Sequence, residues 1–194
     1  MILIDSPVAN TANIARALRA VGAPLDVSRD PLVIARAAKL VLPGVGSFGA
    51  AMKWLEETDI AIAIREAVSN GAFLLGICVG HQLLFDVSHE MGSTRGLGLV
   101  RGEVQRFDGP LPVPQIGWNR VTARGPLFDG VEHEAFYFVN SYAARDAANE
   151  VASADYNGPF TAAVQRERVC GVQFHPEKSS AAGLRVLRNF VAWN

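Results

Sequence analysis

Only two cysteines occur in the 194 residues, Cys78 and Cys170, too few for a disulfide scaffold and suited to a reducing compartment. Charge of one sign is equally scarce. The net value of −1 gives no long-range attraction to nucleic acid or to an anionic membrane, so neither is an expected partner and recognition has to be local. Long apolar runs are missing too, because Ile60 to Ile64 is cut by Arg65 and Glu66. Met1-Ile2-Leu3-Ile4-Asp5 reads as a short strand, without the basic start and long apolar stretch of a signal peptide. No cysteine and histidine group has metal-ligand spacing, so neither a metal nor another cofactor is expected. Repeats, linkers and low-complexity segments are absent. What remains is 49% hydrophobic and 19% charged, the composition of a cytoplasmic enzyme with one domain spanning residues 1–194.

The first half alternates strand and helix patterns. Ile2 to Asp5 reads as a strand, and Thr11 to Val21 as a helix with Ile14, Ala17, Leu18 and Val21 on one face. A weaker strand at Leu25 to Val27 precedes a short helix opened by Pro31. Lys39 to Leu42 is a strand ending at Pro43-Gly44-Val45-Gly46. Helical patterns follow at 48–57 and 59–69, stopping at Asn70-Gly71. A strand at 73–77 runs into a helix through Gly80 to Phe85. This succession predicts an α/β fold with a mixed, mainly parallel central sheet flanked by helices. Beyond about Ser88 strands dominate, predicted at Leu99 to Phe107, Arg120 to Ala123, Ala135 to Ala143, Val151 to Tyr156, Phe160 to Gln165 and Val169 to Phe174. The segment 109–114, with three prolines, reads as a stiff loop. A last helix begins near Ser179-Ser180.

Gly76-Ile77-Cys78-Val79-Gly80 puts a cysteine between glycines at a strand-to-helix junction. The sulfur is pushed out at the carboxyl end of the strand, and the peptide dipoles at a helix start favour thiolate. Cys78 is therefore the candidate nucleophile, and it needs a base. Any of the four histidines could fold back onto it. His175 stands out because it follows an apolar strand in Phe174-His175-Pro176-Glu177, where extended geometry turns His175 and Glu177 to the same side. A neighbouring carboxylate fixes the imidazole tautomer and stabilises its cation. The two glycines of Pro43-Gly44-Val45-Gly46 let backbone amides approach a ligand. The Val79 amide would be the second donor of an oxyanion hole.

Bland alternatives stand beside these. Cys170, inside Val169-Cys170-Gly171-Val172, reads as a small hydrophobe. Gln82 could be an ordinary helix-surface residue and Glu90 a solvated charge, while His81, His89 and His133 read as non-catalytic.

Gly76-Ile77-Cys78-Val79-Gly80-His81-Gln82 together with Gln173-Phe174-His175-Pro176-Glu177-Lys178-Ser179 resembles the class I, triad-type glutamine amidotransferases, whose fold is flavodoxin-like. Leu42 to Gly49, Gly117-Trp118-Asn119, Tyr137 to Tyr142 and His175 to Ser179 resemble the glutaminase subunits of imidazole glycerol phosphate synthases within that family. The resemblance implies attack of Cys78 on the glutamine side-chain amide, with His175 moving the proton and Glu177 completing the triad. Hydrolysis of the thioester then gives glutamate and ammonia. It further implies that Gln82 and Glu90, with backbone at Ser141 and Tyr142, bind glutamine, and that Gly44 and Val45 belong to the oxyanion loop. The implied partner is a (β/α)₈ cyclase subunit in a heterodimer that receives the ammonia, with Trp118, Tyr137 and Asn10 at the interface, and low activity is implied for the isolated subunit. Three segments depart from the family pattern. Ser6-Pro7-Val8-Ala9 replaces the usual Tyr-Gly-x-Gly, Gln115-Ile116 replaces His-Met, and Asn140 replaces His. His81 is similar to the residue found in the sister subunits of anthranilate and aminodeoxychorismate synthases, which are the alternative. A catalytically silent interaction subunit and a cysteine hydrolase of another substrate are further readings.

Overall fold

A computed structural model describes residues 1–7 and 9–194; of the departing Ser6-Pro7-Val8-Ala9 segment, Val8 lies outside the described residues. In the first half, β1 (Ile2–Ile4), α1 (Thr11–Ala20), β2 (Asp26–Ser28), α2 (Pro31–Ala35) and β3 (Lys39–Gly44) are followed by α3 (Phe48–Glu57), α4 (Ile60–Ser69), β4 (Phe73–Cys78) and α5 (Val79–Gln82). Local sequence explains the boundaries. Asn10, Asp30 and Ser47 each accept a backbone N–H at a helix start, and Pro31 sits where its missing donor costs nothing.

The second half holds β5 (Val87–Ser88), β6 (Thr94–Arg95), β7 (Glu103–Arg106), β8 (Gln115–Arg120), β9 (Thr122–Ala123), β10 (Ala135–Asn140), β11 (Tyr142–Ala144), β12 (Glu150–Asp155), β13 (Pro159–Arg166), β14 (Val169–Val172) and α6 (Ser180–Ala192). The central sheet has eight strands in the order β2-β1-β3-β4-β14-β13-β12-β9. Its first five strands run parallel and the rest are antiparallel, the mixed α/β architecture expected. Parallel strands covered by helices on both faces bury every side chain, and β4 is buried from Phe73 to Cys78. Among the described residues, no helix is long and apolar enough to cross a membrane.

Four expectations need correction. The helix after Cys78 spans Val79–Gln82 and does not continue to Phe85. The carbonyls of Leu83, Leu84 and Phe85 instead accept N–H groups from 97–100, so the backbone bonds to a neighbouring loop. The run Ala135 to Ala143 is two strands, because Ser141 passes the chain from one sheet to another: β10 pairs with β8, and β11 with β7. The strand expected at Leu99 to Phe107 is confined to Glu103–Arg106. The stretch 115–120, read as no element before Arg120, is strand β8, with β9 just after it. Its apolar residues point outward, Ile116 being 64% and Trp118 54% exposed, which inverts the usual burial alternation.

Candidate active site

Cys78 ends β4, and the residues expected to act with it arrive on the two strands beside β4. On one side β3 pairs in parallel so that Gly44 lies opposite Cys78, which brings Val45 and Gly46 out next to the sulfur. On the other side β14 places Val172 opposite Ile77, so that 173–177 leave the sheet at the same edge. The nucleophile and its base are thus brought together by adjacent parallel strands nearly a hundred residues apart in sequence.

The turn at Cys78 is sharp. Its backbone sits at φ 55° and ψ −112°, a conformation costing a residue with a side chain about 1–3 kcal/mol. Gly80 explains how the chain fits there, because a Cβ on Gly80 would overlap the Leu42 carbonyl oxygen. Gly44 is equally close, since its Cβ would lie 2.8 Å from the Gly80 nitrogen. With only four residues in α5, the peptide dipole is a smaller influence on the sulfur than the sequence implied.

His175 Nδ1 lies 2.9 Å from Glu177 Oε1, and both side chains are almost wholly buried. The ring shares the wall of one cavity with Cys78. Burial alone would lower the His175 pKa, but the interactions with Cys78 and with the hydrogen-bonded Glu177 carboxylate prevail and push it up to about 10. The arrangement therefore favours an imidazolium beside the sulfur. Backbone bonds fix this segment further. The His175 N–H donates to the Tyr137 carbonyl at 2.9 Å, and the Ser179 hydroxyl donates to the His175 carbonyl at 2.7 Å while accepting from the Tyr137 N–H.

A cavity of about 340 Å³ opens over Cys78 and His175, a volume that suits a small polar metabolite. Val45, Gly46, Val79, Gln82, Glu90, Ser141 and Tyr142 all line it. The expected catalytic, oxyanion and substrate-binding residues thus converge on one space, except that Gly44 lies behind the wall in β3 and reaches it through Val45, and Glu177 stands behind the His175 ring. Gln82 Nε2 donates to the Tyr142 carbonyl and to Gln173 Oε1, each at 2.9 Å, so Oε1 is the amide atom left for a ligand. Glu90 does more than face solvent: its carboxylate accepts the Phe48 N–H at 2.6 Å and clamps the start of α3 just beyond the Val45–Gly46 turn. The Ser141 and Tyr142 carbonyls already accept bonds from the Phe107 N–H and from Gln82 and Asn140.

Sequence reasoning missed Asn140, Gln173 and Lys178 as neighbours of the site. Asn140 and Lys178 line the cavity, and the buried Asn140 Oδ1 has no protein partner. The motif around His175 already contained Gln173 and Lys178, but strand periodicity alone does not say which side chain turns toward β4.

Trp118 stacks edge-on against Tyr137, with ring centroids 6.0 Å apart, and Lys178 Nζ lies 5.9 Å from the Tyr137 ring centroid. Asn10 caps α1 through its side chain. His81 is fully buried against Phe85, with both ring nitrogens unpaired, and burial lowers its pKa to about 3. It contributes packing and no contact with the cavity. Cys170 is fully buried with its sulfur directed at the Leu74 carbonyl, the small-hydrophobe reading. Among the described residues no group of histidines, cysteines and carboxylates could hold a metal ion.

A cysteine on a strained strand-end turn, beside a buried imidazole and carboxylate and a glycine-containing loop, has the arrangement used for nucleophilic acyl transfer. The chain belongs to the class I glutamine amidotransferases, whose family model matches residues 2–193. It is 48% identical to "Imidazole glycerol phosphate synthase subunit HisH" of Geobacillus thermodenitrificans, over 97% of this chain and 93% of that protein. The subunit of the same name from Herpetosiphon aurantiacus is 45% identical, over 97% of this chain and 92% of its own. Among solved structures, one titled "Crystal structure of glutamine amidotransferase" superposes with a TM-score of 0.78 at 19% identity, covering 97% of this chain and 96% of its own. The PurLQS structure from Thermotoga maritima gives 0.75 at 19% identity, covering 97% and 95%. At that identity the two structures speak for the fold.

Proposed function

We propose that this chain is the glutaminase subunit of an imidazole glycerol phosphate synthase in histidine biosynthesis. It would hydrolyse L-glutamine to glutamate and pass the ammonia to a (β/α)₈ cyclase subunit bound as a heterodimer. The observation that carries this reading is the meeting of Cys78, His175 and Glu177 at the ends of β4 and β14 beside the Val45–Gly46 turn. The near-full-length likeness to HisH subunits supports the choice of acceptor reaction.

In the mechanism, the Cys78 thiolate attacks the glutamine side-chain carbon, and its oxygen takes up negative charge. The amide N–H groups of Val79 and Val45 stabilise that oxyanion. Imidazolium His175 gives its proton to the departing nitrogen, so ammonia leaves and a glutamyl thioester remains. His175, now neutral, draws a proton from water as the water attacks the thioester; glutamate is released and the thiolate returns. Glu177 holds the ring through Nδ1 and stabilises its cation in both half-reactions. Gln82 Oε1 and Glu90 supply acceptors for the substrate ammonium group.

Glutamate release from glutamine, measured with and without the cyclase, tests this. Release is expected to be weak for the isolated chain and strong in the complex, since the oxyanion amides need the partner to reach working geometry. Cys78→Ala should abolish glutamine-dependent synthesis and leave synthesis from free ammonia intact. No glutamate in either condition would sink the glutaminase reading.

A further inference from the structure

Gln173 lies one residue beyond β14, fully buried, and the triad leaves it without a task. Its orientation is dictated by a neighbour. The Tyr142 carbonyl can only accept a hydrogen bond, so the Gln82 amide must turn Nε2 toward it. The same Nε2 donates to Gln173 Oε1 at 2.9 Å. With its oxygen engaged, Gln173 directs Nε2 at Cys78 Sγ, 3.9 Å away. Flipping the Gln82 amide would set two acceptors against each other at Tyr142, and flipping Gln173 would do the same to the sulfur once it is a thiolate.

We propose that Gln173 stabilises the Cys78 thiolate through this fixed N–H donor and, through its oxygen, keeps the Gln82 acceptor turned toward the substrate. The proposal rests on Cys78 being the nucleophile. The other groups around the sulfur do different work. His175, backed by Glu177, supplies a charge that moves with its proton, and Glu90 and Lys178 stand on the cavity wall with opposite signs. The Val139 carbonyl accepts from the thiol and so favours the neutral form. Gln173 opposes Val139 with a neutral donor that pH does not alter.

The test uses the full chain in complex with the cyclase and two substitutions, Gln173→Met and Gln173→Glu. Methionine keeps the size and removes both polar functions. Glutamate still accepts from Gln82 but places an oxygen against the sulfur. Iodoacetamide labelling of Cys78, followed across pH by peptide mass, reads the thiolate directly, and steady-state kinetics read glutamine turnover. The labelling profile is expected to move to higher pH in both variants, by about tenfold in proton concentration in Gln173→Met, as for one lost hydrogen bond to an anion, and by more in Gln173→Glu, whose carboxylate also repels the thiolate. The KM for glutamine should rise about tenfold in Gln173→Met and stay within about twofold of the parent in Gln173→Glu. Folded variants with the parent labelling profile would overturn the proposal; if Gln173→Glu does not fold, Gln173→Met decides by the same profile. A parent complex that releases no glutamate would defeat the glutaminase reading, while the labelling arm would still decide on Gln173.

Discussion

Two buried histidines face opposite electrostatics, and their effects on stability run in opposite pH directions. His175 is held above its ordinary range, so its folded state binds a proton more tightly than the unfolded chain. Its contribution is complete below about pH 6.5 and is lost as pH rises toward about 10. The stability gap between the parent and His175→Asn should therefore narrow across that window in urea titrations. His81 is held neutral by burial, so the unfolded chain takes up the proton that the folded one refuses. Stability should fall by about 1.4 kcal/mol per pH unit below about 6.5. His81→Leu should flatten that acid limb, and an unchanged limb would mean that water reaches the ring. A third substitution, Glu177→Gln, should lower glutamine turnover in the complex at least about 10²-fold, read by glutamate release. At this scale the sequence was informative where a residue type has few other uses, as with Cys78 between glycines or His175 before Pro-Glu. It was silent on Gln173, because a buried amide at a strand end carries no composition signal and its direction depends on a carbonyl from another sheet.

Among the elements, β3 and the β4–α5 turn depend on one close approach. Gly80 faces the Leu42 carbonyl with no space for a methyl group, and Gly76 has the Gly80 carbonyl oxygen 2.5 Å from where its Cβ would be. Gly80→Ala should cost about 3 kcal/mol in chemical denaturation, by pushing β3 away from the turn. The βα half was legible because buried parallel strands and amphipathic helices write distinct periods. The strand half was not, for two physical reasons. An unbroken apolar run hides the change of sheet at Ser141, and β8 exposes the residues that a strand ordinarily buries.

For the whole molecule, that inverted strand is the clearest sign of something external. Ile116 and Trp118 present apolar surface beside Tyr137, and the Tyr137 backbone holds His175 and Ser179. If this face receives the cyclase, Trp118→Ala should weaken the complex by about 2 kcal/mol or more in calorimetric titration, with little effect on the melting temperature of the isolated chain. Unchanged affinity would move the interface elsewhere.

The pairing of β4 with β14 also sets a timetable. Cys78 leaves the ribosome long before His175 has been synthesised, and a growing chain carries the sulfur without its base. Cys78, His175 and Glu177 can meet only when β14 closes onto β4, late in synthesis and after β8 and β10 have been made. The order of the strands in the sheet thereby makes the assembled triad a property of the nearly finished chain, since its base and carboxylate lie at residues 175 and 177 of 194.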